Sequence, residues 1–247
     1  MTLEDKTSRL AGFLYLVVVV TGIFSLGYVP SQIPLSGDPR TAIDNIKGAE
    51  QMFRFGIAAF IILQVSFLLL PLVLFKLLRP VNEAAAICMV VLAVVSVPLA
   101  LVALSGRMDL LLLATNTSYT EGLGAQQVHA EVLLALGQHR NQLLLTKVFW
   151  GLWLFPFGWL VFKSGFLPKI LGLFLMLGCF GYLVEVFGRL LVPGYAESAV
   201  ARFAVKPASI GEIGTCLWLL IVGVRRPCQP REMKRGQIAH DHVQPSK

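Results

Sequence analysis

Residues 163–193 read KSGFLPKILGLFLMLGCFGYLVEVFGRLLVP, and this stretch decides the fold class of the chain. After the basic turn that ends at Lys169, apolar residues continue almost without interruption to Pro193. A helix that crosses a hydrocarbon core of about 30 Å needs about 20 such residues. Glu185 and Arg189 lie inside the run, where an ionisable side chain is costly unless it is paired or solvated. The stretch therefore predicts a membrane-spanning helix that carries two charges.

The composition of the whole chain is typical of a protein that crosses a membrane several times. Hydrophobic residues make up 56% of the 247 residues and charged residues 14%, against about 25% charged in soluble domains. The mean hydropathy is +0.73. We predict an all-α polytopic membrane protein, a bundle of six transmembrane helices with short interfacial helices in the outer loops. The predicted spans are residues 10–28, 53–75, 84–104, 143–162, 168–191 and 208–224.

Two shorter amphipathic stretches predict helices at the membrane surface, both in outer loops. Asp38 is a helix N-cap residue and Pro39 suits the first helical position, and apolar residues then recur on one face. Residues 125–136 show a similar helical spacing of apolar side chains. Gly137 is expected to end this second surface helix before the fourth span begins.

The basic residues indicate which side of the membrane each loop occupies. The formal net charge of +7 comes from lysines and arginines that flank the apolar runs. We therefore interpret them as determinants of topology, and we expect no nucleic-acid partner. With both termini in the cytoplasm, the inner loops are the shorter and more densely basic ones. Residues 1–224 are predicted to form a single transmembrane domain, and residues 225–247 a basic, disordered cytoplasmic tail.

Ionisable residues within or near the spans are the candidate ligand-binding residues: Glu185, Arg189, Glu212, Arg54 and Arg107. A helical rise of about 1.5 Å per residue places Glu185 about 24 Å from Lys169. The same rise places Glu212 about 20 Å from Arg225. The three arginines fall near the outer boundary of the bilayer. We therefore expect all five side chains in the outer half of the membrane.

Two interpretations of these charges remain open. In the structural one, Glu185 and Arg189 form an ion pair on one helix face, because they are spaced i,i+4. Glu212 is then held by an arginine of another span, either Arg54 or Arg107. In the functional one, the charges line a polar cavity that opens to the outer side and binds a small polar or amphiphilic molecule. An unpaired glutamate there could carry a proton.

The sequence shows no pattern of a metal, cofactor or catalytic site. His129 and Glu131 are two residues apart, which places them on opposite sides of a helix. We find no H-E-x-x-H motif, no glycine-rich phosphate loop and no Ser-His-Asp order. The four cysteines show no C-x-x-C spacing. We therefore predict no metal, no cofactor and no catalytic residue.

Several motifs resemble a family of bacterial membrane proteins known as domain of unknown function 4386 (DUF4386). They are RLAGFLYLVVVVTGIFS at residues 9–25, FRFGIAAF at 53–60, LFKLLRPVN at 74–82, FKSGFLPKILG at 162–172, GYL at 181–183 and GEIGTCLWLLIVGV at 211–224. The resemblance covers most of the chain in the right order and spacing. It implies about six helices in the bacterial cytoplasmic (inner) membrane, and it carries over no functional residue.

These observations give one leading functional hypothesis and two alternatives. The leading one is a non-enzymatic ligand-binding or sensory membrane protein, with membrane lipids as its surroundings and its ligand at the charges of the outer half. The first alternative is a small proton-coupled transporter that uses Glu212 or Glu185. The second is an intramembrane enzyme, which the lack of clustered His, Asp or Cys residues disfavours.

Overall fold

The computed structural model describes residues 3–35 and 37–224, and these residues form helices without any strand. The α-helices are α1 (Leu3–Gly22), α2 (Val29–Gln32), α3 (Pro39–Gly48), α4 (Glu50–Leu78), α5 (Glu83–Thr115), α6 (Thr117–Glu121), α7 (Ala125–Leu152), α8 (Leu154–Ser164), α9 (Lys169–Leu191), α10 (Ala199–Phe203) and α11 (Lys206–Leu217). Two π-helical segments, Ile23–Tyr28 and Trp218–Val222, and a 3₁₀ turn, Tyr195–Glu197, complete them. The predicted tail, residues 225–247, lies outside the described residues.

Six helical stretches of this described part are long and apolar enough to cross a membrane, which confirms the predicted fold class. We call them the first to sixth spans: Asp5–Gln32, Glu50–Leu78, Glu83–Thr115, Ala125–Ser164, Lys169–Leu191 and Ala199–Val222. Large apolar side chains such as Ile221 and Leu190, 67% and 69% exposed, point outward around the bundle. Such a surface suits lipid and not water. The chain is therefore a multi-pass membrane protein.

The spans form a closed ring in chain order. Each span packs on the next one, and the first also packs on the sixth. The connections at residues 79–82 and 165–168 are short, and with the two described chain ends they form what we call the turn end. The longer connections at 33–49, 116–124 and 192–198 form the loop end. The two ends of the described part meet, since the N–H of Val224 donates to the hydroxyl of Ser8 over 3.3 Å.

Aromatic side chains fill the middle of the ring. Trp153 is fully buried, and its ring stacks on Phe157 with 5.1 Å between centroids. Phe67 of the second span meets the same indole edge-on, also at 5.1 Å. Tyr15 of the first span lies 6.4 Å from Phe157. This aromatic core joins the first, second and fourth spans, because each ring buries a large apolar area.

Small residues bring the fifth span close to the sixth. Gly178 lies against the backbone of Ala208, and Gly181 against the carbonyl of Ala204. A side chain at either glycine would collide with the facing backbone. Gly211 likewise lies against Leu175, which fixes the antiparallel register of the two helices. The glycines therefore allow the two helices to pack closely.

One of the two predicted surface helices is confirmed and the other is not a separate helix. In α3 the carboxylate of Asp38 accepts the N–H of Thr41 over 3.3 Å, and the apolar face is buried. The second prediction is wrong, because α7 runs through Gly137 into the fourth span. Tertiary packing sustains the helix there: Ala135 is buried, and its carbonyl lies against Gly106 of the third span.

Candidate functional site

Glu185 is the centre of a charged cluster at the loop-end half of the fifth span. Its side chain is only 4% exposed. The Oε1 atom accepts a hydrogen bond from Arg189 Nε over 2.5 Å, which confirms the predicted i,i+4 ion pair. Lys147 of the fourth span lies beside the same oxygen, with its Nζ 3.6 Å away. The buried carboxylate therefore pairs with one cation of its own helix, and Lys147 joins it to the fourth span.

Sequence reasoning missed Lys147 as a member of this cluster. The available signal was its position, because Lys147 directly precedes the apolar run VFWGLWLFPF. A lysine at such a position needs a partner or a route to water. Packing of the fourth span on the fifth gives Lys147 the carboxylate of Glu185 as its partner. The lysine also reaches the surface, since 28% of its side chain stays exposed.

A groove opens beside this cluster, and we call it the cationic groove. It has a volume of about 640 Å³ and lies between residues 139–147 of α7 and residues 189–196, where α9 ends. Its charged lining consists of Arg140, Lys147 and Arg189, together with His139. The described lining contains no acidic residue, although the buried Glu185 contacts two of these cations from the side. Leucines and the segment Val192–Ala196 supply an apolar wall.

Arg107 belongs to a separate polar contact that joins three spans. Its Nη1 donates to the carbonyl of Ser25 over 3.0 Å, and its Nε donates to His139 Nε2 over 3.2 Å. His139 Nδ1 lies 2.5 Å from the carbonyl of Ala103, so this nitrogen carries the proton and donates. The guanidinium thereby ties the first, third and fourth spans together.

The carbonyl of Ser25 needs this donor because its own helix cannot supply one. In an α-helix it would accept from Val29, but the N–H of Val29 donates instead to Phe24 across the π-helical segment. In a π-helix its donor would be residue 30, which is Pro30 and has no N–H. Arg107 replaces the missing helical donor. A buried carbonyl without a partner would cost about 1–3 kcal/mol.

Arg54 lies outside both clusters. Its Nε donates to Glu50 on the same helix over 2.7 Å, and about half of each side chain is exposed. The predicted pairing of Glu212 with Arg54 or Arg107 is therefore wrong. Arg54 has an acidic partner one turn away, and Arg107 is committed to the carbonyl of Ser25.

Glu212 lies in the middle of the bundle, in contact with Tyr15. The tyrosine hydroxyl donates to Glu212 Oε1 over 3.3 Å. The neighbouring Gly211 packs on Leu175, about ten residues before Glu185. At about 1.5 Å per residue, Glu212 is about 15 Å nearer the turn end than Glu185. The expectation that both acids share one half of the bilayer does not hold.

The register explains this difference. The end of the sixth span passes the start of the fifth and packs on the first, where Gly12 lies against Leu220. Counting back from Arg225 therefore overestimated the distance of Glu212 from the turn end. The five predicted residues occupy four places: the Glu185–Arg189 pair, the Arg107 contact, the Arg54 pair and the cavity of Glu212. Among the described residues, no group of three His, Cys, Asp or Glu side chains is placed to hold a metal ion.

The fold and these charges define a multi-pass membrane protein whose charged side chains form several separate polar contacts. The chain belongs to the family described as domain of unknown function (DUF4386), whose model matches residues 10–223. An uncharacterized protein of Archaeoglobus fulgidus is 36% identical over 80 residues, which cover 32% of this chain and 44% of that protein. The chain thus matches less than half of that relative. No solved structure matches the chain.

Two i,i+4 ion pairs, one buried and one exposed, give a matched test of the charged cluster. We expect Glu185→Gln to lower the free energy of unfolding by about 2 kcal/mol, because it leaves Lys147 and Arg189 without an acid. Both cations are partly exposed, so the loss stays below that of a fully buried pair. Glu50→Gln, which breaks the pair with Arg54, should cost about 0–1 kcal/mol. Thermal unfolding of the purified protein in detergent compares the two variants. Equal losses of stability would contradict the larger contribution expected from the Glu185 ion pairs.

Proposed function

We propose that this protein is a non-enzymatic ligand-binding membrane protein that takes anionic amphiphiles in the cationic groove. One observation carries the proposal: three cations line a single groove whose nearest carboxylate is the buried Glu185. Two of the cations share that one carboxylate, so the groove keeps an excess of positive charge. An anionic group that entered would meet Arg140 and Arg189 as hydrogen-bond donors.

The apolar part of the groove supports an amphiphile over a small inorganic anion. Leu143, Leu144 and the segment from Leu190 to Val192 lie beside the cations. A hydrocarbon chain can pack on these side chains while the anionic group stays with the arginines. The volume of about 640 Å³ falls within the range of about 300–1,000 Å³ that ligand pockets occupy.

The test compares anionic and zwitterionic lipid at the same site. Native mass spectrometry of the purified protein would measure retention of dioleoylphosphatidylglycerol, of dioleoylphosphatidylcholine and of inorganic phosphate. We expect preferential retention of the anionic lipid, and at least a hundredfold weaker affinity in Arg140→Gln/Arg189→Gln, since two charged hydrogen bonds of about 1.5–3 kcal/mol each are lost and about 1.4 kcal/mol is a factor of ten. Retention of phosphate alone would assign the site to a free anion.

The matched control removes the same charge elsewhere. Lys47→Gln/Arg202→Gln takes two exposed cations from other parts of the loop end. It should leave lipid retention within about twofold, because non-specific attraction to a cationic surface is screened by salt. Equal losses in the two double variants, or equal retention of the two lipids, would overturn the proposal.

We also propose the orientation of the bundle: the turn end faces the cytoplasm of a bacterial inner membrane. The short connections of that end carry Arg79 and are flanked by Lys76, Lys163 and Lys169. Short basic loops of this kind remain on the cytoplasmic side. A fluorescent protein fused after Lys247 should fold and fluoresce, whereas alkaline phosphatase fused there should stay inactive. Active phosphatase would reverse the orientation.

A further inference from the structure

A second cavity lies in the middle of the bundle, apart from the cationic groove. It has a volume of about 220 Å³ and is lined by residues of the first, second, fourth, fifth and sixth spans. Glu212 is the one acidic residue of the lining, and five aromatic residues share the wall with it: Tyr15, Phe67, Trp150, Trp153 and Tyr182. The cavity therefore places a carboxylate among aromatic rings.

Glu212 has no cationic partner within the described residues. The ion pairs there involve Glu50 and Glu185, whereas Glu212 accepts a hydrogen bond from the hydroxyl of Tyr15. The cavity lining contains no Lys, Arg or His. An acid at this depth needs either a proton or a counter-ion. The protein supplies a space beside it where a positively charged ligand can take that place.

The rings favour the same kind of ligand. The faces of Trp and Tyr carry negative charge density, and they attract organic ammonium groups by about 0.5–2 kcal/mol each. Leu26, Leu63 and Val18 line the rest of the cavity and suit a small hydrocarbon group. Ile23, Ser209 and Ile213 lie at its rim and are exposed on the outside of the first and sixth spans. A ligand can therefore enter from the lipid.

We infer that this cavity is a binding site for a small hydrophobic ammonium cation, held by the Glu212 carboxylate and the surrounding indole and phenol rings. The site is independent of the cationic groove, which has the opposite charge preference and lies nearer the loop end. An anionic amphiphile would be repelled by Glu212. A neutral hydrocarbon would fill the space without a partner for the carboxylate.

The test uses benzyltrimethylammonium and its neutral isostere neopentylbenzene. Both are titrated into the purified full-length protein in detergent, and the fluorescence of the cavity tryptophans, Trp150 and Trp153, reports binding. The ammonium ion should give a saturable change, with the neutral compound at least tenfold weaker. Glu212→Gln should weaken binding of the cation at least tenfold, because it removes the charge and keeps a similar shape. Equal binding of the two compounds would overturn the inference.

Two further variants separate loss of the site from loss of the fold. Glu50→Gln removes an exposed carboxylate and should leave binding within twofold. Ile213→Phe places a larger side chain at the exposed rim without adding a tryptophan, and it should also weaken binding at least tenfold. Unchanged binding in Glu212→Gln or in Ile213→Phe would place the cation elsewhere and contradict the proposed site.

Discussion

Gly181→Ala is expected to destabilise the bundle more than an alanine at any other glycine of the described residues. The added Cβ would collide with the carbonyl oxygen of Ala204, a backbone atom that cannot move without shifting the sixth span. Overpacking of a core costs about 1–3 kcal/mol, and a backbone clash belongs at the upper end. For a chain of this size that corresponds to a midpoint about 6–12 °C lower. Thermal unfolding followed by size-exclusion chromatography measures it.

Gly137→Ala is the matched control, because the same change there meets no atom. Gly137 lies inside α7, and a Cβ at that position has nothing within 4 Å. Alanine is the better helix former by about 1 kcal/mol, so this variant should unfold at the same temperature or higher. If the two variants had equal midpoints, the close approach of the fifth and sixth spans would be wrong.

Arg107→Met is the second prediction with a large effect. Arg107 is 6% exposed, and its loss leaves the carbonyl of Ser25 and the Nε2 atom of His139 without their donor. At about 1–3 kcal/mol for each orphaned group, we expect a loss of about 3 kcal/mol in the free energy of unfolding. Arg54→Met, which removes an exposed arginine from a surface pair, should cost about 0–1 kcal/mol.

Pro30 makes the cause of this loss testable. Pro30→Ala restores an N–H at the position from which a π-helix donates to the carbonyl of Ser25. In that background Arg107→Met should cost about 1–2 kcal/mol less than it does alone, because the carbonyl then has a second donor. A double-mutant cycle by thermal unfolding gives this difference. Strict additivity of Pro30→Ala and Arg107→Met would show that the arginine does not replace the missing helical donor.

Features that depend on neighbours in the chain could be predicted from the sequence. The length of the apolar runs gave the six spans, and the N-cap at Asp38 gave the surface helix. The four-residue spacing of Glu185 and Arg189 gave their ion pair. Each of these follows from helical geometry and from the cost of exposing backbone and charge to lipid. The sequence by itself therefore determined the class of protein and the apolar centre of each span, but not the full length of the third and fourth spans.

Contacts between spans were decided only by the tertiary structure. Lys147 meets Glu185, and Glu212 meets Tyr15, because side-chain packing sets the register in which each helix lies beside the next. Apolar length alone allows several registers, since any sliding of one helix keeps its lipid-facing surface apolar. Glycines such as Gly181 select one of them by admitting a facing backbone at a single height. That choice separates the cationic groove from the cavity of Glu212.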